Sequence, residues 1–461
     1  MTGAVAATPV DGFDVSVPIV VIGAGAAGLV AALAAQSSGS EVLVVEADAQ
    51  PSGSTALSAG LIPAAGTRLQ AAEGIEDTPD LFARDIQSKA HGENDPALVQ
   101  RLVEAIPGTL DWLATRHGLP FSVVTDFDYP GHSRRRMHGL PTRSGRDLID
   151  GLRAAAGACE IDIVCDRRAV TVFSEDKRIT GVEVLGPSGR ERIECGALVL
   201  ACNGFGGNRA MVEEYMPQIV DAVWFGHDGN RGDAIVWGNA IGADTRHLGA
   251  YQGHGNVAYP HGILITWATI TEGGVQVNAN GRRFWDESQG YSEAARAVLA
   301  QPGGVAWTIF DARIAGVARQ FQDFKDAEAA GAIRSADSVS RLARVCGLPE
   351  ETLAETFDSI PWDGSDAFGR AFGPRPITPP FHAVKVTGAL FHTQGGLCID
   401  RDARVRLAGG GVLPNLYAAG GAAVGVSGSG DSGYLSGNGL LSAVALGAIA
   451  GKAAAKTVAA L

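Results

Sequence analysis

Two short apolar runs, Ile19–Ile22 and Val42–Val45, flank an alanine-rich stretch. Continuous apolar runs of this length read as buried strands, and the stretch between them reads as a helix. Further on, Leu98, Leu102, Ile106, Leu110 and Leu113 recur at helical spacing, so residues 95–118 read as a helical pair. Residues 145–156, GRDLIDGLRAAA, read as another helix. From Ile161 to Leu200 the pattern turns to strands, through Val170, Val172, ITGVEV and the run Ala197 to Ala201. Residues 209–385 differ in composition: they hold six of the seven tryptophans and a helical stretch around 326–356. Strands resume in GALFHTQGGLCIDRDARV, and the last segment reads as a strand, a glycine-rich loop and a long apolar helix from near Gly439. This order predicts an α/β fold. A Rossmann-like domain is built in two parts, 1–208 and 386–461, with an α+β capping (substrate) domain inserted over 209–385.

The first strand runs straight into Gly23, Gly25 and Gly28, and the second ends on Glu46. Gly23 allows a tight turn, Gly25 lets a pyrophosphate approach the backbone, and Gly28 lets the helix pack close to the strand. The helix start at Ala26 and Ala27 offers unpaired N–H groups and a positive dipole end to phosphates. Glu46, followed by Ala47, stands where a carboxylate accepts from both hydroxyls of an adenosine ribose. The next loop is rich in small residues (Gly53, Ser54, Thr55, Ser58, Gly60) and suits close approach to a flat ring system. A second glycine turn begins at Asn203 and Gly204, after the strand that ends at Ala201.

Composition narrows the partners. The chain has 461 residues, 19% of them charged, and a net charge of −13 with no block of Lys or Arg, which argues against nucleic acid and anionic membranes. The short run Arg134–Arg136 reads as a solvated face, and Tyr129 and His138 beside it as packing. The six cysteines show no CxxC spacing and read as free thiols in a reducing compartment; no metal site is expected. The first sixteen residues lack a basic n-region and a long apolar core, and no apolar run reaches about twenty residues. The expectation is therefore a cytoplasmic protein with no secretory signal and no membrane span.

The segments VIGAGAAG…VVE, SGSTALSAG, ACNGFGGN, NANGRRFWDES, FHTQGGLCID and LYAAGGAA occur in this order over nearly the whole length. In them the chain resembles the fumarate reductase and 3-ketosteroid dehydrogenase superfamily of FAD flavoproteins. The resemblance implies FAD bound by a two-part domain, a cap over the flavin, and substrate between them. It also implies FAD contacts from Val170, Gly420, Gly439, Leu440 and Leu441 besides the residues named above. Relatives that attach FAD covalently use a His in the loop after the ribose acid. Residues 51–66 hold none, so non-covalent FAD is expected.

Departures from the family pattern choose between its branches. Fumarate reductases place a proton-donating Arg four residues after the Glu of the cap motif; here that position is Tyr291. The acidic partner of that Arg, expected near Ala268, is missing. The Arg that clamps a substrate carboxylate is replaced by Tyr434, and the usual Glu after AAG is Gly421. This resembles the layout of the ketosteroid dehydrogenases, above all the Δ4-(5α) type, and of the cyclohexanone-type desaturases. There a cap Tyr acts as base, and a C-terminal Tyr with a backbone N–H holds the ketone oxygen. Tyr434 and the backbone N–H of Asn438 are the expected oxyanion donors. Tyr291 is the expected base, with Ser436 or His254 relaying its proton because a phenol ordinarily titrates near 10. The expected reaction is desaturation of a small-molecule cyclic ketone, either a 3-ketosteroid or a cyclohexanone-sized ring such as 4-oxocyclohexanecarboxylate; the short cap favours the smaller ring. The electron acceptor is left open between O₂, a quinone and a carrier. Two other readings stand beside this one. His254 and His392 match histidines of the dicarboxylate branch and keep alive a fumarate-like or enoate-type alkene reductase. The third reading is a flavin-binding protein without turnover.

Overall fold

Every residue from Ala26 to Ala35 is buried in the helix Ala26–Ser37, and all of those ten are small or apolar. A helix of that kind belongs in a core. The strands Val15–Ile22 and Val42–Val45 flank it in sequence and pair in parallel, from Ile19 opposite Val42 to Ile22 opposite Val45. The structure, a computed structural model, describes residues 4–125 and 128–461. The first three residues, and Asp126 and Phe127 of the polar loop, lie outside them.

Two units emerge. The first comprises residues up to Met211, Gly226–Tyr251 and His392–Leu461; the second comprises Val212–Phe225 and Gln252–Phe391. Among the described residues, the first unit holds a nine-stranded sheet. Its long strand Gly189–Leu200 pairs in parallel with Val15–Ile22, and at its C-terminal end with Val412–Ala418. The late strand thus joins the sheet started by the early ones, as the two-part domain requires. The C-terminal helix Asn438–Val458 lies against the first helix so closely that a β-carbon on Gly451 would fall 2.1 Å from the Ala31 carbonyl oxygen. The second unit is α+β. Strand Phe381–Thr393 runs antiparallel to Val305–Asp311, and its seven-stranded sheet is accompanied by helices such as Tyr291–Leu299 and Val339–Cys346.

Several expectations change. Residues 95–118 form one helix, Pro96–His117, rather than a pair. Pro107 lies inside it, yet Leu102 and Ile106 before it and Leu110 and Leu113 after it are all buried, so packing carries the helix through. Asp95 caps its start by accepting from Ala97 N at 2.9 Å. Residues 226–251 belong to the first unit, not to an insertion running 209–385. Thr245–Arg246 pairs with Gly396–Leu397, and Trp237 sits in the same core as the first helix, so tryptophan content did not mark the insertion's limits. Among the described residues one helix is long and apolar enough to cross a membrane, Asn438–Val458, of which 78% of the most apolar window is buried inside the protein.

Candidate cofactor and active site

The glycine turn has the geometry its spacing implies. Gly23 adopts φ +99°, and a β-carbon there would lie 2.6 Å from the Ala201 carbonyl oxygen. A β-carbon on Gly28 would lie 1.8 Å from the Gly23 carbonyl oxygen, so helix and strand meet only because it is absent. Gly25 differs: the nearest protein atom to such a carbon is Thr55 Oγ1, at an ordinary 3.7 Å. The protein itself does not demand glycine at 25, so the space beside the helix start suits a ligand's pyrophosphate. Gly28→Ala should therefore lower the melting temperature, whereas Gly25→Ala should leave the apoprotein's melting temperature unchanged and reduce the FAD:protein ratio on purification. Equal FAD content in the Gly25 variant and the parent would refute this division of roles.

The remaining cofactor candidates surround that turn. Glu46 is buried, accepting from Ala24 N at 2.7 Å and Asp48 N at 3.0 Å, one bond on each carboxylate oxygen. Each oxygen keeps further acceptor capacity for a ribose hydroxyl. Thr55 Oγ1 accepts from Ala26 N at 3.0 Å. Ser54 Oγ receives two N–H donors, from Asn203 at 3.0 Å and Asn230 at 2.9 Å. Its own proton is left to donate, which fits a ring nitrogen or carbonyl of a flavin. Asn230 was not among the sequence candidates; its signal is the turn GHDGNRGD. Asn203 holds φ +63° and turns its side-chain oxygen to Gly204 N at 2.9 Å. Ser58 serves its own loop, donating to Thr55 O and accepting from Gly60 N. Val170 lies where the ladder between Arg168–Glu175 and Arg178–Gly186 shifts register, between Ala169 and Thr171. A bulge of this kind frees main-chain groups for a ligand. These features fit FAD.

Within the first unit, three of the sequence-named chemical groups converge at the start of the C-terminal helix. Tyr434 Oη lies 3.5 Å from Gly439 N, and the His392 ring packs edge-on to Tyr434 with centroids 5.5 Å apart. A β-carbon on Gly439 would lie 2.9 Å from His392 Nε2 and 3.6 Å from Tyr434 Oη. Burial, opposed by the N–H groups of Gly439 and Gly437, pushes the Tyr434 phenol up to about 12, so it remains a proton donor at neutral pH. Burial pulls His392 down to about 4, leaving it neutral. Its Nδ1 lies 2.8 Å from Gln394 Nε2 and 3.3 Å from the Thr393 carbonyl oxygen. Gln394 accepts from Ser427 at 2.7 Å, and Ser427 from Asn438 Nδ2 at 3.1 Å. The expected donor at Asn438 moves by one residue. Asn438 N donates to Leu435 O at 3.0 Å, and the backbone N–H that meets Tyr434 is that of Gly439, which donates to the phenol oxygen.

Arg136 is not part of a solvated face. It is 1% exposed, donates to both oxygens of Asp77 at 2.9 and 3.0 Å, and pairs with Asp85. Asp77 and Asp85 lie more than fifty positions upstream, beyond the reach of a local charge pattern. His138 is structural. Its Nδ1–H donates to the Arg136 carbonyl at 2.8 Å, and Nε2 accepts from Thr67 at 2.8 Å.

In the second unit, aromatic rings form a continuous stack. Phe225 lies on Phe391 (centroids 4.8 Å), Phe391 on His254 (5.5 Å) and His254 on Tyr291 (5.0 Å), while Trp267 meets His254 and Tyr291 edge-on. Burial holds His254 down to about 3, and its Nδ1 accepts from Asn256 N at 3.2 Å. It is a neutral ring, too weak a base for the proton relay expected of it. Trp267 is the residue that precedes Ala268, where the acidic partner was missing. Tyr291 opens the helix Tyr291–Leu299 directly after Gly290, whose φ of +133° makes the entry turn. The turn before it is anchored by Glu287, whose side chain is fully buried, accepts from Gln276 N at 2.9 Å and Arg283 Nε at 3.1 Å, and pairs with Arg370 at 3.0 Å.

Comparison with known proteins shows the family. A family model described as an FAD binding domain matches residues 18–440. A probable fumarate reductase, Ifc3 of Shewanella frigidimarina, is 33% identical over 95% of this chain and 74% of its own length. Among solved structures, the open conformation of a flavocytochrome c3 fumarate reductase matches with a TM-score of 0.83 at 32% identity, over 97% of this chain and 79% of that one. The 3-ketosteroid-Δ4-(5α)-dehydrogenase from Rhodococcus jostii RHA1 in complex with 4-androstene-3,17-dione shares the fold, with a TM-score of 0.78 at 24% identity over 98% and 99% of the two chains.

Proposed function

We propose that this chain, which belongs to the FAD binding domain family, desaturates a cyclic ketone next to its carbonyl. It is an FAD-dependent oxidoreductase acting on CH–CH groups, of the fumarate reductase and ketosteroid dehydrogenase kind, with FAD held non-covalently. The observation that carries the finer reading is the cluster of Tyr434 Oη, Gly439 N–H and His392 at one helix start. It is a set of neutral polar groups suited to a ketone oxygen, at a position where a dicarboxylate enzyme needs a cation.

Tyr434 donates to the ketone oxygen and, polarised by the Gly439 N–H that donates to its own oxygen, stabilises the enolate that develops when the α-proton leaves. The helix dipole favours negative charge there. Tyr291 takes the α-proton as a phenolate, having first given its own proton to bulk water, because a phenol that kept its proton could not accept another. FAD, when bound, supplies the acceptor for the hydride from the β-carbon. The product is an α,β-unsaturated ketone. The stack of Phe225, Phe391, His254 and Tyr291 offers an apolar wall to a ring and no charge to a carboxylate. Free thiols at all six cysteines accord with a cytoplasmic setting.

The test is anaerobic titration of the oxidised holoprotein with 5α-androstane-3,17-dione, cyclohexanone and 4-oxocyclohexanecarboxylate. Bleaching of the flavin band by one of them supports ketone desaturation and identifies the ring size. The relative at 33% identity favours a second reading, reduction of an activated alkene. Fumarate reoxidising the chemically reduced protein, with no ketone bleaching it, would establish that reading instead. If ketones are substrates, Tyr434→Phe should lower turnover at least tenfold, about 1.4 kcal/mol of barrier. Unchanged turnover would remove Tyr434 from the oxyanion site.

A further inference from the structure

We propose that His132 is a positioning residue that holds the segment Tyr434–Gly439 in its donor geometry, through a hydrogen bond from its Nε2–H to the Ser436 carbonyl. The bond measures 2.9 Å, and a carbonyl can only accept, so the proton is on Nε2. The other nitrogen agrees. Nδ1 lies 3.4 Å from Arg136 Nη1, and a guanidinium can only donate, so Nδ1 carries the lone pair. One tautomer satisfies both contacts.

Arg136 keeps that tautomer in place because it cannot move. Asp77 holds it at Nε and Nη2, Asp85 holds Nη1, and its guanidinium lies 4.6 Å over the Phe82 ring. Asp85 also accepts from the N–H of Ser133, at 2.8 Å, and from its hydroxyl, which fastens the residue next to His132 to the same cluster. A second contact comes from the turn itself: a β-carbon on Gly131 would lie 2.7 Å from Leu435 Cδ1, so the loop rests directly on the residue before Ser436. The carbonyl that His132 grips precedes Gly437, the left-handed residue (φ +86°) at which the chain turns into the C-terminal helix. Two residues later comes Gly439 N, the backbone donor beside Tyr434. His132 therefore acts on the site through Ser436, and the buried ion cluster acts through His132. The consequence for ketone turnover rests on the function proposed above; the consequence for the order of the segment does not.

The experiment compares His132→Leu and His132→Gln with the parent, as FAD-loaded full-length proteins. The Gln amide can place an N–H near the Nε2 position; Leu cannot. Backbone hydrogen exchange over residues 434–441 should rise about five- to tenfold in the Leu variant, as expected for one lost hydrogen bond, and return towards the parent in the Gln variant. With a ketone that bleaches the flavin, kcat should fall in the Leu variant and recover with Gln. Unchanged exchange in the Leu variant, or equal effects of Leu and Gln, would overturn the proposal. Altered exchange with no ketone turned over by the parent would leave the positioning role standing and defeat the ketone reading. Should the Leu variant not fold, nitrogen NMR of the parent decides: a signal for His132 protonated on Nε2 alone at neutral pH supports the role, and protonation on Nδ1 refutes it.

Discussion

Tyr291→Phe should slow flavin bleaching by a saturated ketone by about 10²- to 10⁴-fold, the range for loss of a positioned general base. The change removes one oxygen and keeps the ring. The Phe391–His254–Tyr291 stack, with centroids 5.5 and 5.0 Å apart, should survive, as should the edge contact with Trp267 at 6.4 Å. Binding of the ketone should therefore persist while proton removal fails. His254 does not replace the lost base, because burial holds it near 3 and it remains a neutral ring. Stopped-flow absorbance under anaerobic conditions, with FAD content checked first, measures this directly. Near-parental bleaching by Tyr291→Phe would mean that another group takes the α-proton.

Glu287→Ala should destabilise the second unit by about 3–5 kcal/mol, the cost of removing one partner from a buried ion pair. Glu287 pairs with Arg283 and with Arg370, and the side chains of both arginines are less than 10% exposed. Arg283 retains Asp366, but Arg370 would keep only the carbonyls of Ile270 and Gly274, at 3.1 and 2.9 Å, as hydrogen-bond acceptors. The same carboxylate holds the strand Val275–Val277 through Gln276 N. Glu287 stands four residues before Tyr291, so the base should lose its placement as the unit loosens. A fall in melting temperature of several degrees, with partial recovery in Glu287→Gln, is the expected result; an unchanged melting temperature would show that the pair contributes little.

Local chemistry made much of this molecule legible. Gly23 and Gly28 can be assigned from spacing because a positive φ and a helix–strand approach each exclude a side chain, and in the fold backbone oxygens lie where those side chains would be. The buried strands and the alanine-rich helix followed from periodicity alone. Tyr434 and Tyr291 stand out by their offsets from motifs, and each lies at the start of a helix or in the loop that enters one.

What the pattern along the chain did not contain is pairing over long separations. Arg136 looked solvated because Asp77 and Asp85, which bury it, are far upstream. Trp237 looked like part of the insertion, yet it packs in the first core. The N–H of Asn438 looked free until the turn brought Leu435 O within 3.0 Å of it. By itself, then, the amino-acid sequence determined the cofactor turn, the element order and the motif offsets at which Tyr291 and Tyr434 stand. The tertiary structure alone decided which N–H meets Tyr434, which histidines are neutral and which arginine is buried, because those properties depend on neighbours that the fold, not the order of residues, brings within hydrogen-bonding distance.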